Sequence, residues 1–176
     1  MKTRAHYLLV DGYNVIHAHP ELSLIADDSL EGARVKLCDI LSEFMALSRY
    51  RIIVVFDAHL VPGGIGSVAE YNNVKIVFTK EAETADRYIE QAAYKLSKES
   101  KRDRITVATS DALEQLIILG QGANRISATD LWTEIDGTKD NLRRRHIENT
   151  PIKKNPLFGL LDKETAAKLE AMRYGK

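Results

Sequence analysis

Short apolar runs alternate with amphipathic segments along the chain. Four of the runs are rich in Val, Ile and aromatic residues, and a fifth is weaker. Because these residues are nearly continuous rather than alternating with polar ones, they predict strands that are buried on both faces, as in a parallel sheet. The predicted strands cover residues 7–10, 52–56, 74–78, 105–108 and, most weakly, 125–127.

Apolar residues at helical spacing fill the segments between these strands. Asp28 with Glu31, and Ser127 with Asp130, have the spacing of a helix-capping pair. Gly137 is a point at which the helix that follows Ser127 could be interrupted. The predicted helices begin near Asp28, Thr84, Asp111, Ser127 and Asp162.

Strands that alternate with helices in this way predict an α/β fold, a three-layer sandwich around a mainly parallel sheet. The segment 60–73 is rich in glycine and proline and predicts a mobile loop, and residues 150–156 predict a linker. A chain of 176 residues suits one domain. We therefore expect a body formed by residues 1–150, with residues 151–176 as a linker and C-terminal helix of the same domain.

Cysteine content and hydropathy indicate the compartment. Cys38 is the only cysteine, so an internal disulfide is impossible and a reducing environment is expected. The apolar run at residues 7–10 is too short for the core of a signal peptide or for a membrane span. We therefore expect a cytoplasmic protein that does not insert into a membrane.

Charge is distributed unevenly along a chain whose net charge is zero. Residues 139–154 carry six Lys or Arg against two acidic residues, so a basic C-terminal region follows an acidic body. Such a segment could track the phosphates of RNA, and it could equally be a solvated helix face. The candidate RNA-binding cations are Lys139, Arg143, Arg144, Arg145, Lys153 and Lys154.

Aspartates follow the predicted strands. Asp11 and Asp57 come directly after their strands, and Asp111 comes after a short polar step. The fourth strand leads into a predicted helix on which Glu83 and Asp86 share a face with Glu90. Ligands of open parallel sheets bind at the carboxyl ends of the strands, which is where these acids should gather.

Each of these aspartates also has a structural explanation. Asp111 and Glu114 could cap a helix, Asp86 suits a first helical turn, and Asp57 could form a turn with its own backbone. Asp11 has no predicted helix to cap, which favours a functional role. Converging carboxylates repel one another unless a cation lies among them, and their hard oxygens suit Mg²⁺ or Mn²⁺. Such ions support hydrolysis of phosphodiesters.

Several other sites are excluded by specific residues. The segment after the first strand is Asp-Gly-Tyr-Asn rather than a glycine-rich dinucleotide motif, and no Walker lysine is present, so no nucleotide cofactor is expected. The histidines lack zinc-ligand spacing. An aspartyl-nucleophile phosphatase would carry an acid where Tyr13 stands. Tyr13 could stack on an RNA base or could pack within a turn.

Four ordered segments resemble the NYN domains of the PIN-like nuclease superfamily, and most closely the YacP-like group, which includes a bacterial ribosome-associated endoribonuclease. They are residues 11–16, 55–59, 79–86 and 108–111, the last followed by Glu114 and Gln115. The resemblance implies a sheet of order 3-2-1-4-5 with a Mg²⁺ site, and cleavage of mRNA in the ribosomal decoding site with the basic tail on ribosomal RNA. The residues that match the family motifs are Asp11, Asn14, Asp57, Asp86, Ser110 and Asp111.

The interpretation that combines these observations is a metal-dependent endoribonuclease. Asp11, Asp86 and Asp111 would hold the metal, Asn14 would orient Asp11 or the scissile phosphate, and Asp57 and Glu83 would complete the acidic ring. One alternative is a non-catalytic module that binds RNA or the ribosome on the same scaffold. A receiver-like signalling domain, the other alternative, would need a lysine after a late strand, and residues 125–128 contain none.

Overall fold

The computed structural model describes residues 4–57, 65–99, 103–110 and 123–149, apart from the side chains of Ile65 and of residues 145–149. These residues form six strands and five helices. In chain order the elements are β1 (His6–Asp11), α1 (Gly12–His17), α2 (Pro20–Asp28), α3 (Leu30–Leu47), β2 (Tyr50–Phe56), β3 (Ile65–Tyr71), β4 (Val74–Lys80), α4 (Ala85–Glu99), β5 (Arg104–Ala108), β6 (Asn124–Ile126) and α5 (Ala128–Asn149).

The strands form one sheet in the order β3-β4-β2-β1-β5-β6. Neighbours are parallel throughout except for β3 and β4, which are antiparallel. The α/β fold class with a mainly parallel sheet is confirmed. The five predicted strands lie in the expected order, and the observed order differs from it by the additional edge strand β3.

Strand β3 corrects the prediction of a loop over residues 60–73. Residues 65–71 pair with β4 in a hairpin whose two turn residues, Asn72 and Asn73, both have positive φ angles, of 47° and 69°. Asparagine tolerates this left-handed backbone, and two such residues in succession match the right-handed twist of the flanking strands. The glycine-rich composition of the segment concealed the strand.

Side-chain hydrogen bonds to the backbone of the first turn mark where α3 and α5 begin. Ser127 caps α5 as predicted, because its Oγ accepts from the backbone N–H of Asp130 at 3.0 Å, and α5 continues through Gly137. The predicted cap at Asp28 is wrong. Ser29 caps α3 instead, accepting from the N–H of Gly32 at 3.0 Å, and Asp28 ends α2.

Helices α1 and α2 were not predicted, because the apolar pattern of residues 12–28 is short and broken. The helices predicted from Asp111 and Asp162, and the linker at 150–156, lie outside the described residues.

Apolar side chains alternate between the two faces of the sheet. Leu8 and Val10 pack with α1, α2, α3 and the first part of α5, whereas Leu9 packs with α4 on the opposite face. Val54 and Val55 divide in the same way on β2. Burial of both faces explains why the strands have continuous apolar sequences, and it gives the three layers that were predicted.

The chain divides into two compact units, Met1–Asp140 and Asn141–Lys176. The first contains the whole sheet. In the second, the structure describes residues 141–149, which form the end of α5. Within the part of the chain that the structure describes, no helix combines the length and the apolar character needed to cross a bilayer.

Candidate active site

Asp11 ends the central strand β1 and is buried, with 8% of its surface exposed. Its Oδ1 accepts a hydrogen bond of 3.0 Å from the backbone N–H of Asn14. Asp11 is therefore the N-cap of α1. The sequence-based view that this residue has no helix to cap was wrong, and the capping hydrogen bond fixes the orientation of a buried carboxylate.

Gly12 allows the chain to turn from β1 directly into α1. A Cβ atom at this position would lie 2.3 Å from Cε1 of Phe56, well inside van der Waals contact. The backbone of Gly12 thus packs against the ring of Phe56, the residue that precedes Asp57. This close approach brings the ends of β1 and β2 together at the carboxyl edge of the sheet.

Two further aspartates meet Asp11 at this edge. Asp86 lies in the first turn of α4, and its side chain comes within hydrogen-bonding reach of that of Asp11. Asp57 follows β2, and its Oδ2 accepts from the backbone N–H of Ala85 at 3.4 Å. Asp57 therefore ties the end of β2 to the start of α4, next to Asp86.

Burial and neighbouring negative charge raise the pKa of Asp11 from an ordinary 3.8 to about 6. Loss of hydration is the largest cause; the charge and hydrogen bond of Asp86 and the charge of Asp57 act in the same direction, and the N–H of Asn14 opposes them. At neutral pH the ionised Asp11 is destabilised by its surroundings. A cation bound at this edge would relieve that repulsion.

Carboxylate oxygens of the Asp11–Asp86 pair have the donor chemistry that a hard divalent cation prefers. Mg²⁺ commonly uses one or two protein carboxylates and completes its coordination with water and substrate phosphate. Among the residues that the structure describes, no three His, Cys, Asp or Glu side chains are arranged to hold a metal. Asp111, the third predicted ligand, lies outside these residues. The described pair fits such an ion.

Glu83 lies in the turn before α4, where its N–H donates to the carbonyl oxygen of Lys80 at 2.8 Å. Because α4 begins at Ala85, the prediction that Glu83 shares a helix face with Asp86 is wrong. Glu83 lines a groove on the α4 face. Burial of Tyr88 raises the pKa of its hydroxyl, and the negative charge of Glu83 raises it further.

Two other predicted residues lie at or near the carboxyl edge. Ser110 is exposed, two residues beyond the end of β5. Asn14 contributes to the site through its main chain, because its N–H holds Asp11. The sequence-based hypothesis was that Asn14 orients Asp11 or the scissile phosphate.

Tyr13 is packed rather than available for stacking. It is 7% exposed, and its ring makes an edge contact with Phe56 at a centroid distance of 5.2 Å. Its hydroxyl accepts from Nη1 of Arg34 at 2.9 Å. Of the two interpretations of Tyr13, the structure supports the packed residue, and the predicted stacking on a base is wrong.

Arg34 was not among the predicted site residues. It lies on α3, four positions before Cys38 and seven before Leu41, and both of these residues face the core. A charged residue on the apolar stripe of an amphipathic helix is the signal that could have identified it.

The predicted basic residues fall into three groups. Lys139 forms an ion pair with Glu43 at 3.3 Å, which gives it a structural partner. Arg143 and Arg144 are exposed on α5. The side chains of Arg145, Lys153 and Lys154 lie outside the described part of the chain.

Comparison with known proteins gives a consistent result. The model of the YacP-like NYN domain family matches residues 8–174. The uncharacterized protein YacP of Bacillus subtilis (strain 168) is 44% identical over 138 residues, which are 78% of this chain and 79% of that protein.

Two crystal structures of Rae1 (YacP) from Bacillus subtilis, one of them of a mutant, have similar folds. Their TM-scores are 0.69 and, for the mutant, 0.68, at 40% and 37% identity. The first match covers 96% of this chain and 95% of that one, and the match to the mutant covers 95% and 99%.

Proposed function

The chain belongs to the YacP-like NYN domain family, and from this premise we propose that it is a metal-dependent endoribonuclease that hydrolyses phosphodiester bonds in RNA. The observation that carries the proposal is the contact between the buried carboxylate of Asp11 and that of Asp86, with Asp57 beside them. Neighbouring acids that raise the pKa of the buried Asp11 cost stability, and a cation-dependent reaction gives a reason to keep them together.

The proposed site is built from two kinds of residue. Asp11 and Asp86 would hold a divalent cation, Mg²⁺ or Mn²⁺, with Asp111 as the third ligand. Bound there, the ion would polarise the scissile phosphate and lower the pKa of the attacking water. Asp57 acts as a positioning residue, because its carboxylate holds the first turn of α4 and thereby the location of Asp86.

The same proposal names mRNA as the substrate and the ribosome as the partner. The family resemblance supports both, and the exposed Arg143 and Arg144 supply positive charge that can contact RNA phosphates. Phosphate contacts by such residues add affinity without selecting a sequence. Selection of the cleavage site would then depend on the positioning of mRNA by the ribosome, in the cytoplasm.

The test is cleavage of RNA by the wild-type protein and by Asp11→Asn. Asparagine keeps the oxygen that caps α1 but cannot carry the negative charge, so the fold should persist while cleavage falls by at least 100-fold. Cleavage should be mapped as new 5′ ends, both on free RNA and on mRNA in a translation reaction with Mg²⁺. Asp27→Asn, at an exposed position in α2, is the matched control and should cleave normally.

Two outcomes would contradict the proposal. Full cleavage by the Asp11→Asn protein would remove Asp11 from the mechanism. RNA binding without cleavage in either assay, unchanged by EDTA, would favour the non-catalytic RNA-binding module instead.

A further inference from the structure

A pocket of about 170 Å³ lies between α3 and the ends of β2 and β4. Aromatic rings form much of it: Phe56 and Phe78 stack at a centroid distance of 5.6 Å, and Tyr71 adds a third ring. Phe56 and Phe78 pair in register on neighbouring strands, and Phe56 directly precedes Asp57. The pocket therefore adjoins the acidic edge of the sheet.

Arg34 is held at this pocket in a defined orientation. Its Nη1 donates to the Tyr13 hydroxyl at 2.9 Å, and its guanidinium lies 5.8 Å from the centroid of the Phe78 ring. Within the described residues Arg34 forms no ion pair, although it is half-buried. Tyr13 uses one of the five N–H donors of Arg34, so the contacts among the described residues leave the positive charge and several donors to a ligand.

We propose that this pocket is a nucleotide subsite for single-stranded RNA, with a base against Phe78 and Tyr71 and the adjoining phosphate on Arg34. The inference rests on the proposed nuclease function and extends it to the substrate strand. Arginine recognises phosphate oxygens through paired N–H donors, and unstacked RNA bases bind to aromatic side chains. A fixed cation would also offset the repulsion between the RNA phosphates and the three aspartates.

The size and rim of the pocket agree with a single base. Pockets for drug-sized ligands measure about 300–1,000 Å³, so this smaller one suits one ring system. Val35, which is 48% exposed, and Glu31 lie at its rim. The Glu31 carboxylate can accept a hydrogen bond from a base amino group, as carboxylates do from cytosine.

The test measures RNA binding in the Asp11→Asn background, so that cleavage does not interfere. A fluorescein-labelled single-stranded RNA of ten nucleotides and mixed sequence is titrated at several salt concentrations, with fluorescence anisotropy as the readout. Adding Arg34→Gln should weaken binding by roughly tenfold. Loss of one phosphate contact should also reduce the slope of log K against log salt by about 0.7, which a merely structural role would not do.

Arg51 provides a matched control. Its Nη1 lies 3.5 Å from the Tyr7 hydroxyl and its guanidinium 5.9 Å from the Tyr7 ring, so it makes the same kinds of contact as Arg34. However, it lies near the amino-terminal end of β2, away from the acidic edge. Arg51→Gln in the same background should leave both affinity and salt slope unchanged.

Filling the pocket tests the base contact separately. Val35→Trp adds a large ring at an exposed rim position, so the core should remain intact, as checked by the melting temperature. RNA affinity should fall by roughly tenfold while the salt slope is retained, because Arg34 is still present.

The outcomes separate the subsite from the nuclease. Equal affinity and salt slope for Arg34→Gln and Arg51→Gln, or no measurable RNA binding by the Asp11→Asn protein, would overturn the subsite even if the wild type cleaves RNA. Arg34-dependent binding, combined with no cleavage of RNA by the wild-type protein, would support the subsite and contradict the nuclease.

Discussion

Asp11 has two roles at the residue scale, as the cap of α1 and as a buried charge. The capping oxygen stabilises the helix, whereas the negative charge is disfavoured by burial and by Asp86 and Asp57. The folded protein holds the Asp11 proton up to about pH 6, but the unfolded chain releases it near its ordinary pKa of 3.8. The contribution of Asp11 to the stability of the metal-free protein should therefore fall as pH rises through this window, because at this residue the folded state binds more protons than the unfolded chain.

Asp11→Asn should separate these two roles. It keeps the capping oxygen and removes the charge, so in EDTA at pH 7.5 we expect the variant to be more stable than the wild type by roughly 1–3 kcal/mol. Near pH 4 the two proteins should be about equally stable. Asp11→Ala also loses the cap and should be about 1 kcal/mol less stable than Asp11→Asn.

Urea unfolding at the two pH values measures these differences. If Asp11→Asn is less stable than the wild type by the same amount at both pH values, the folded state does not disfavour the negative charge of Asp11.

At the scale of elements, the turn from β1 into α1 depends on the contact between the Gly12 backbone and Phe56. This turn sets the direction in which Asp11 leaves the sheet. A side chain at position 12 would force the two strand ends apart or displace the Phe56 ring, which is fully buried.

Gly12→Ala should destabilise the protein by about 1–3 kcal/mol, because the added methyl group overpacks this contact. Gly137→Ala is the matched control: it lies within α5, and a Cβ atom there would meet nothing within 4 Å. Since alanine favours helix more than glycine does, this variant should gain about 0.5–1 kcal/mol. Chemical denaturation measures the free energy of unfolding of both variants. Equal changes at the two positions would contradict the proposed contact between the Gly12 backbone and Phe56.

At the scale of the whole molecule, the candidate site exists only when three elements are assembled. Asp11 comes from β1, Asp57 from the end of β2 and Asp86 from α4, which packs on the face opposite to α3. A ligand of this site binds the folded state alone, so it should stabilise the entire fold rather than one segment.

Mn²⁺ should raise the melting temperature of the wild-type protein at pH 7.5. At a Mn²⁺ concentration of 100 times the dissociation constant, binding should stabilise the folded state by about 2.7 kcal/mol. The effect should weaken as pH falls below about 6, because protonated Asp11 no longer offers a charged ligand.

Differential scanning calorimetry with and without Mn²⁺ tests this expectation. Asp86→Asn should lose the metal effect, and Asp27→Asn should keep it. An equal rise in melting temperature for both variants would place the ion elsewhere.

Sequence patterns were sufficient to predict the five strands other than β3, because the central strands are buried on both faces. This burial leaves continuous apolar runs, and the polar residue at the end of each run marks the edge at which ligands bind. Asp11 and Asp57 could be identified in this way, and Asp86 from its place in the helix that follows the fourth predicted strand. Local composition failed where glycine and asparagine form a hairpin, at β3, and where short helices lack a full apolar stripe, at α1 and α2.

The amino-acid sequence by itself determined the fold class and the candidate acids, because burial and strand ends leave local patterns. The order of the central strands was available only as what the family resemblance implies. Only the tertiary structure decided that Asp11 is buried against Asp86, that Tyr13 is packed and that Arg34 lies beside an aromatic pocket. These contacts join residues far apart in the chain, and each depends on which faces of separate elements pack together. Periodicity within one segment carries no information about such contacts.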